Sequence, residues 1–229
     1  MSGSSGFSQA TIDYLIDLEA NNNREWFQDN RSRYDECILA PAFGFISEMG
    51  ERLPGISKHL TAIPKRSGGS LMRVYRDTRF SRDKTPYKTN IGIQFRHEQG
   101  KDVHAPGLYF HLDRNECFLG VGMWHPEREA LAAIRQAIVD DPKAWRRVRD
   151  GRQFRAAFDF GGSALKRAPR GFPADHPCIE DLKRKDFIGV ASMAPAVATS
   201  ASLAEDMTGM FAAGKGLMGF LCGALGLPF

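Results

Sequence analysis

Leu108-Tyr109-Phe110-His111-Leu112-Asp113-Arg114-Asn115-Glu116-Cys117-Phe118-Leu119-Gly120-Val121-Gly122-Met123 decides the fold of this chain. Leu108, Phe110 and Leu112 alternate with Tyr109 and His111, and Gly120 and Gly122 share a face of the following run. A side-chain period of two marks a strand with one buried face. Between the runs, Asp113-Arg114-Asn115-Glu116 has the polar composition of a hairpin turn. The stretch predicts two antiparallel strands.

Upstream, Ile91, Ile93 and Phe95 alternate with Asn90, Gly92 and Gln94. From Gly69 the same period places Met72, Val74, Arg76, Thr78 and Phe80 on one face and Arg73, Tyr75, Asp77 and Arg79 on the other. We expect a strand through about Asp77, then a loop to Tyr87, because Pro86 forces the residue before it out of helical geometry. A further strand is expected near Phe187–Ala191. Helical patterns flank these strands. Ser8 caps a stretch with Ile12, Leu15, Ile16 and Leu18 at amphipathic spacing, ended by Asn21-Asn22-Asn23. A second helix is predicted over Arg24–Tyr34, and a third from Pro41 to about Leu53-Pro54-Gly55. Later helices are predicted over Glu127–Val139, Pro142–Arg149 and Leu203–Leu225, the last interrupted by glycines. The predicted class is α+β: an antiparallel sheet of at least four strands in the middle of the chain, with helices before and after packed on it.

Length and composition fit one compact domain over residues 7–229, with Met1–Gly6 read as a leader. Cys37, Cys117, Cys178 and Cys222 are widely spaced with no Cys-x-x-Cys pair, which argues against a zinc ribbon or disulfide scaffold and for the cytoplasm. No apolar run is long enough to span a bilayer, so no membrane partner is expected. No fixed-period repeat is visible.

Charge is concentrated. Lys65–Lys88 holds eight cations against two carboxylates, a net +6 in a chain whose total is +4. Lys143–Arg170 carries +7, leaving the remainder at −9. Guanidinium forks bind carboxylates and phosphates bidentately and lysines add compact point charges, so the first cluster marks an anion site. The candidate ligand-binding residues are Arg73, Arg76, Asp77, Arg79, Asp83, Lys84, Tyr87 and Lys88. Arg73, Arg79 and Lys84 are assigned the anion contacts, Asp77 and Asp83 their orientation, and Tyr87 a hydrogen bond to the ligand. Arg76 falls on the apolar side, where a cation needs a carboxylate such as Asp77 or Asp83, or a bound anion. Arginine neighbours would hold both aspartates ionised, which favours orientation over proton transfer.

Alternation also puts Arg73 and Tyr75, Gly92 with Gln94, Tyr109 with His111, and Gly120 with Gly122 and Trp124 on non-core faces. On one side of the sheet these would form a glycine-floored patch with aromatic walls, which adds Tyr75, Gln94, His111 and Trp124 to the candidates. His97, His104, His111 and His125 are close in sequence but lack a His-Glu-x-x-His or acidic-loop spacing, so no metal site is expected. A nucleophile elbow and a Walker phosphate loop are absent.

Arg73-x-x-Arg76-Asp77-x-Arg79-Phe80 followed by Asp83-Lys84-x-x-Tyr87 resembles the signature of the bacterial conserved-hypothetical family called domain of unknown function 2461. Asn21-Asn22-Asn23-Arg24-Glu25-Trp26-Phe27, Lys84-Thr85-Pro86-Tyr87-Lys88, Gly120-Val121-Gly122-Met123-Trp124 and Arg167-Ala168-Pro169-Arg170-Gly171 are similar to its flanking pieces. In the last, Arg170 replaces the usual lysine. The resemblance implies one domain and brings no substrate, cofactor or catalytic residue.

The leading expectation is a site for a phosphate- or carboxylate-bearing small molecule, with no reaction or cofactor assigned. One alternative is a nucleic-acid-binding module using both basic segments, with Trp124, Tyr75 and Trp145 as stacking surfaces. The other is a non-catalytic scaffold whose Arg/Asp cluster is a structural ion-pair network.

Overall fold

The computed structural model describes residues 6–100 and 105–229. Met1–Ser5 of the expected leader, and His104, lie outside the described residues. Helices α1 (Gln9–Ala20), α2 (Arg24–Asp29), α3 (Arg31–Tyr34) and α4 (Ala40–Arg52) come first, with a π turn at Asp35–Leu39 between the last two. Strands β1 (Ile91–Arg96), β2 (Gly107–Leu112) and β3 (Cys117–Met123) follow. Then come α5 (Arg128–Asp140), α6 (Pro142–Arg149), α7 (Arg152–Ala157), β4 (Asp159–Phe160), α8 (Ile179–Leu182), β5 (Phe187–Met193), α9 (Leu203–Ala213) and α10 (Lys215–Ala224).

The strands form one antiparallel sheet in the order β1-β2-β3-β5-β4. The chain is therefore α+β. The predicted hairpin is present, closed by the Asp113 N–H on the Glu116 carbonyl at 2.9 Å. Register aligns Ile93, Phe110, Leu119 and Ala191 across one face, all buried. Helices from both ends of the chain cover that face. Phe45 of α4 meets Phe110 and Phe95, Phe211 of α9 meets Phe95 edge-on, and Trp145 of α6 meets Phe187 edge-on. Fully burying each such side chain contributes on the order of 1.5–3 kcal/mol. The opposite face aligns Gln94, Tyr109, Gly120 and Val190, all only half-buried. The helices thus leave one sheet face open.

Two expectations are corrected here. Residues 72–80 alternate in burial as predicted up to Thr78, but they form isolated bridges, Leu71 to Ile93 and Tyr75 to Tyr87, rather than a strand. The segment changes partners too soon for a ladder. Met72 N–H bonds Gly92 on β1, whereas Arg76 N–H bonds Pro86 and Lys88 N–H bonds Val74. Phe80, expected on the buried face, is 96% exposed, because the chain has by then left the sheet. The second helix is also divided at Asn30, and Ile16 of the first is exposed. Among the described residues no helix is long and apolar enough to cross a membrane.

Candidate functional site

Segment 74–88 is a narrow arm folded back on itself beside β1, with residues 77–85 at its tip. Side chains close that tip. Arg76 binds the Asp83 carboxylate and the Thr85 hydroxyl, the partner its position required. Arg79 forks onto Asp77 at 3.0 and 2.7 Å, and Lys84 donates to the Thr78 carbonyl at 2.8 Å. The Arg79 guanidinium holds the Asp77 carboxyl down at about 2. The Thr85 N–H, then Arg76, does the same for Asp83, also about 2. Both carboxylates stay ionised at neutral pH, so they orient cations and do not carry protons.

The base of the arm is fixed to the helical layer. Asn22, between α1 and α2, donates its amide N–H to the Tyr87 carbonyl at 2.9 Å and accepts the Tyr87 N–H at 3.0 Å. Phe27 of α2 stacks on the buried Tyr87 ring, with centroids 4.1 Å apart. Asn22→Ala removes both hydrogen bonds from a part-buried backbone. It is expected to lower stability by about 1–2 kcal/mol, read as a thermal melt a few degrees below wild type. An unchanged melt would mean that the stack alone positions the arm.

Between the arm and the start of α2 lies a cleft of about 740 Å³. Its walls are Asn22, Asn23, Arg24 and Gln28 on one side and Tyr75, Arg76, Thr78 and Lys84–Tyr87 on the other. No carboxylate lines it among the described residues. Among those residues Arg24 and Lys84 make no ion pair. Tyr75, 48% exposed, also borders a smaller cleft of about 160 Å³ with Arg31, Arg66 and Arg73. There Asp35 of the π turn holds Arg66 and Arg31, while Arg73 has no ion pair among the described residues.

The structure brings together only part of the predicted set. Tyr75, Arg76, Lys84 and Tyr87 line the larger cleft, and Asp83 anchors Arg76 beside it. Arg73 belongs to the smaller cleft. Arg79, 77% exposed at its side chain, lies outside both linings with its partner Asp77. Lys88 is half-buried beneath the arm, where desolvation and then Arg73 lower its pKa. Gln94 and His111 share the open sheet face as predicted but do not reach the cleft, and Trp124 stacks on His125 beyond the end of β3. Over Gly92, the floor of the expected patch is filled by the Tyr109 hydroxyl and the Met72 sulfur.

Sequence reasoning missed the facing wall, Asn22, Asn23, Arg24 and Gln28. Asn21–Asn23 was legible as a helix-ending turn, but its partner Tyr87 is 65 residues away. The resemblance to the family's 21–27 piece was the available signal. Also unforeseen is Asp186, 1% exposed at its side chain, which accepts from the His125 ring at 2.8 Å, the backbone N–H groups of His125 and Ser163, and the Ser163 hydroxyl. Trp145, expected as a stacking surface, is fully buried against Phe160, Phe187 and Phe220. The four cysteines are free, and burial pushes the Cys117 thiol up to about 12 and Cys222 to about 11.

The family model described as conserved hypothetical protein DUF2461 matches residues 10–220. The chain belongs to this family. The matched span includes both walls of the cleft. No curated protein and no solved structure gives a significant match to the chain.

Proposed function

We propose that this protein binds a small phosphate- or carboxylate-bearing molecule in the larger cleft. The supporting observation is a cleft of about 740 Å³ whose charged lining, Arg24, Arg76 and Lys84, is entirely cationic among the described residues. That volume falls within the roughly 300–1,000 Å³ typical of small-molecule sites. Arg24 and Lys84 contact the anion. Arg76, held by Asp83 and Thr85, presents a fixed edge to it, and Tyr75 forms an aromatic rim. Arg79 is not needed, since Asp77 already occupies its guanidinium fork.

The nucleic-acid alternative fares less well. The first basic segment lies beside β1 and the second contains β4, the opposite edge of the sheet, and Trp145 is buried. The scaffold alternative accounts for the Arg76–Asp83 and Arg79–Asp77 pairs but not for Arg24 and Lys84, which have no ion-pair partner among the described residues.

The test is thermal stabilisation by phosphorylated metabolites, nucleotides, dicarboxylates and a short oligonucleotide, at low and moderate salt. One small anion is expected to stabilise wild type and Arg79→Ala alike. Its affinity should fall about tenfold or more in Arg24→Ala/Lys84→Ala, since each lost charge-assisted hydrogen bond is worth roughly 1.5–3 kcal/mol. Equal stabilisation of the double variant would overturn the assignment. A response only to the oligonucleotide, vanishing with salt, would move the function to nucleic-acid binding.

A further inference from the structure

We propose that the β2–β3 turn is a binding site for a divalent transition-metal ion of the zinc class, ligated by His111, Asp113 and Glu116. None of the three lines the basic cleft, so the site is separate from the function proposed above.

The hairpin itself builds the ligand set. His111 is the penultimate residue of β2, and Asp113 and Glu116 are the first and last residues of the turn, brought together by the Asp113 N–H to Glu116 carbonyl bond. One ligand atom from each side chain lies within 4.8 Å of the other two. Ligand atoms sharing a tetrahedral ion at about 2.0–2.2 Å stand about 3.3–3.6 Å apart. The His111 Nε2 to Asp113 Oδ2 distance is already 3.4 Å. Only Glu116 must close in, and its exposed side chain is free to rotate.

A second observation concerns what stands behind the imidazole. The Tyr109 hydroxyl lies 3.0 Å from His111 Nδ1, and Phe118 stacks on the ring at 4.4 Å and 12°. Metal-bound histidines characteristically have the far ring nitrogen hydrogen-bonded, which fixes the tautomer and aims the near nitrogen. In the metal-free chain the Nε2–Asp113 Oδ2 contact is a hydrogen bond; an ion between the two atoms would take the place of its proton, with Nδ1–H then donated to the Tyr109 hydroxyl. Asp113 is oriented as well. Its Oδ1 accepts the Asn115 and Glu116 N–H groups at 2.6 and 2.8 Å, leaving Oδ2 for the ion. Two carboxylates and a neutral imidazole match the charge of a divalent ion and leave coordination positions open. Tyr109 is a positioning residue.

The spacing His-x-Asp-x-x-Glu matches no established zinc signature, so periodicity and motif carry no sign of a metal here. Turn closure, not helical spacing, assembles the set.

The test is calorimetric titration of the chelator-stripped full chain with Zn²⁺ and with Co²⁺, the latter also followed by its visible absorption. One ion per chain is expected. Glu116→Gln, an exposed substitution that leaves the turn intact, should weaken binding about tenfold or more, and Tyr109→Phe by about tenfold with a changed cobalt spectrum. His111→Gln should abolish stoichiometric binding while its metal-free melt stays near wild type. No saturable binding by wild type, or binding unaltered by both Glu116→Gln and His111→Gln, would overturn the site.

Discussion

Gly122→Ala is expected to lower the melting temperature by ten degrees or more, while Gly120→Ala, two residues earlier on the same strand, shifts it by only a few. Gly122 has φ +120° and sits opposite Ile188 of β5, where a Cβ would be driven into the Phe187 carbonyl. The obstacle is backbone in the middle of the sheet, so no rotamer change relieves it. Strain plus a broken β3–β5 pairing amounts to about 4 kcal/mol or more, and in a domain of this size each kcal/mol is worth roughly 2–4 °C. A Cβ at Gly120 would meet Tyr109 Cβ at 3.5 Å, an ordinary contact. Thermal melts of the two variants decide this, and similar melts would mean that the β3–β5 pairing is not as described. The contrast bears on function too: Gly122 is required by the backbone, not by a ligand approaching a glycine floor.

Asp186→Ala is expected to lower stability by about 4 kcal/mol, because it strands the buried donors that the carboxylate now satisfies. Two backbone distortions converge on this residue. Among the described non-glycine residues only His125 has positive φ, 46°, and its backbone N–H and ring both bond Asp186. Gly162, at φ +86°, packs directly on the Asp186 side chain. Burial alone would raise the Asp186 pKa, but the N–H groups of Ser163 and His125 hold it below the ordinary carboxylate value. The sign follows: this stabilisation is complete above the unfolded pKa of about 3.9 and is lost as pH falls through the lower, folded value. The stability gap between wild type and Asp186→Asn should therefore narrow from about pH 5 to about pH 3. A gap that stays constant over that range would show that the charge of Asp186 contributes nothing.

The sheet was legible because alternation of apolar residues is a local signal, and Ile91–Phe95, Leu108–Leu112 and Cys117–Met123 each carry it within one strand. Met72–Thr78 carries it equally well in sequence and in burial, yet backbone pairing there is divided between β1 and residues 86–88, which no periodicity encodes. Arg73, Arg76 and Arg79 repeat every third residue and meet three different fates. Arg73 faces the small cleft without an ion pair among the described residues, Arg76 turns inward onto Asp83, and Arg79 folds onto Asp77. The Arg76 pairing was foreseeable from its apolar side of the segment. Arg24 was not, because α2 is set against the arm by long-range contacts, the Asn22–Tyr87 clamp and the Phe27–Tyr87 stack.

The anion assignment is tested most directly by following arginine Nε–Hε resonances while inorganic phosphate is titrated at constant ionic strength. Saturable shifts are expected at Arg24 and Arg76, which line the cleft, with no saturation at Arg149, already bound by Asp150 and Asp181. Equal, unsaturating shifts at all three arginines, or none at Arg24, would contradict an anion site in this cleft.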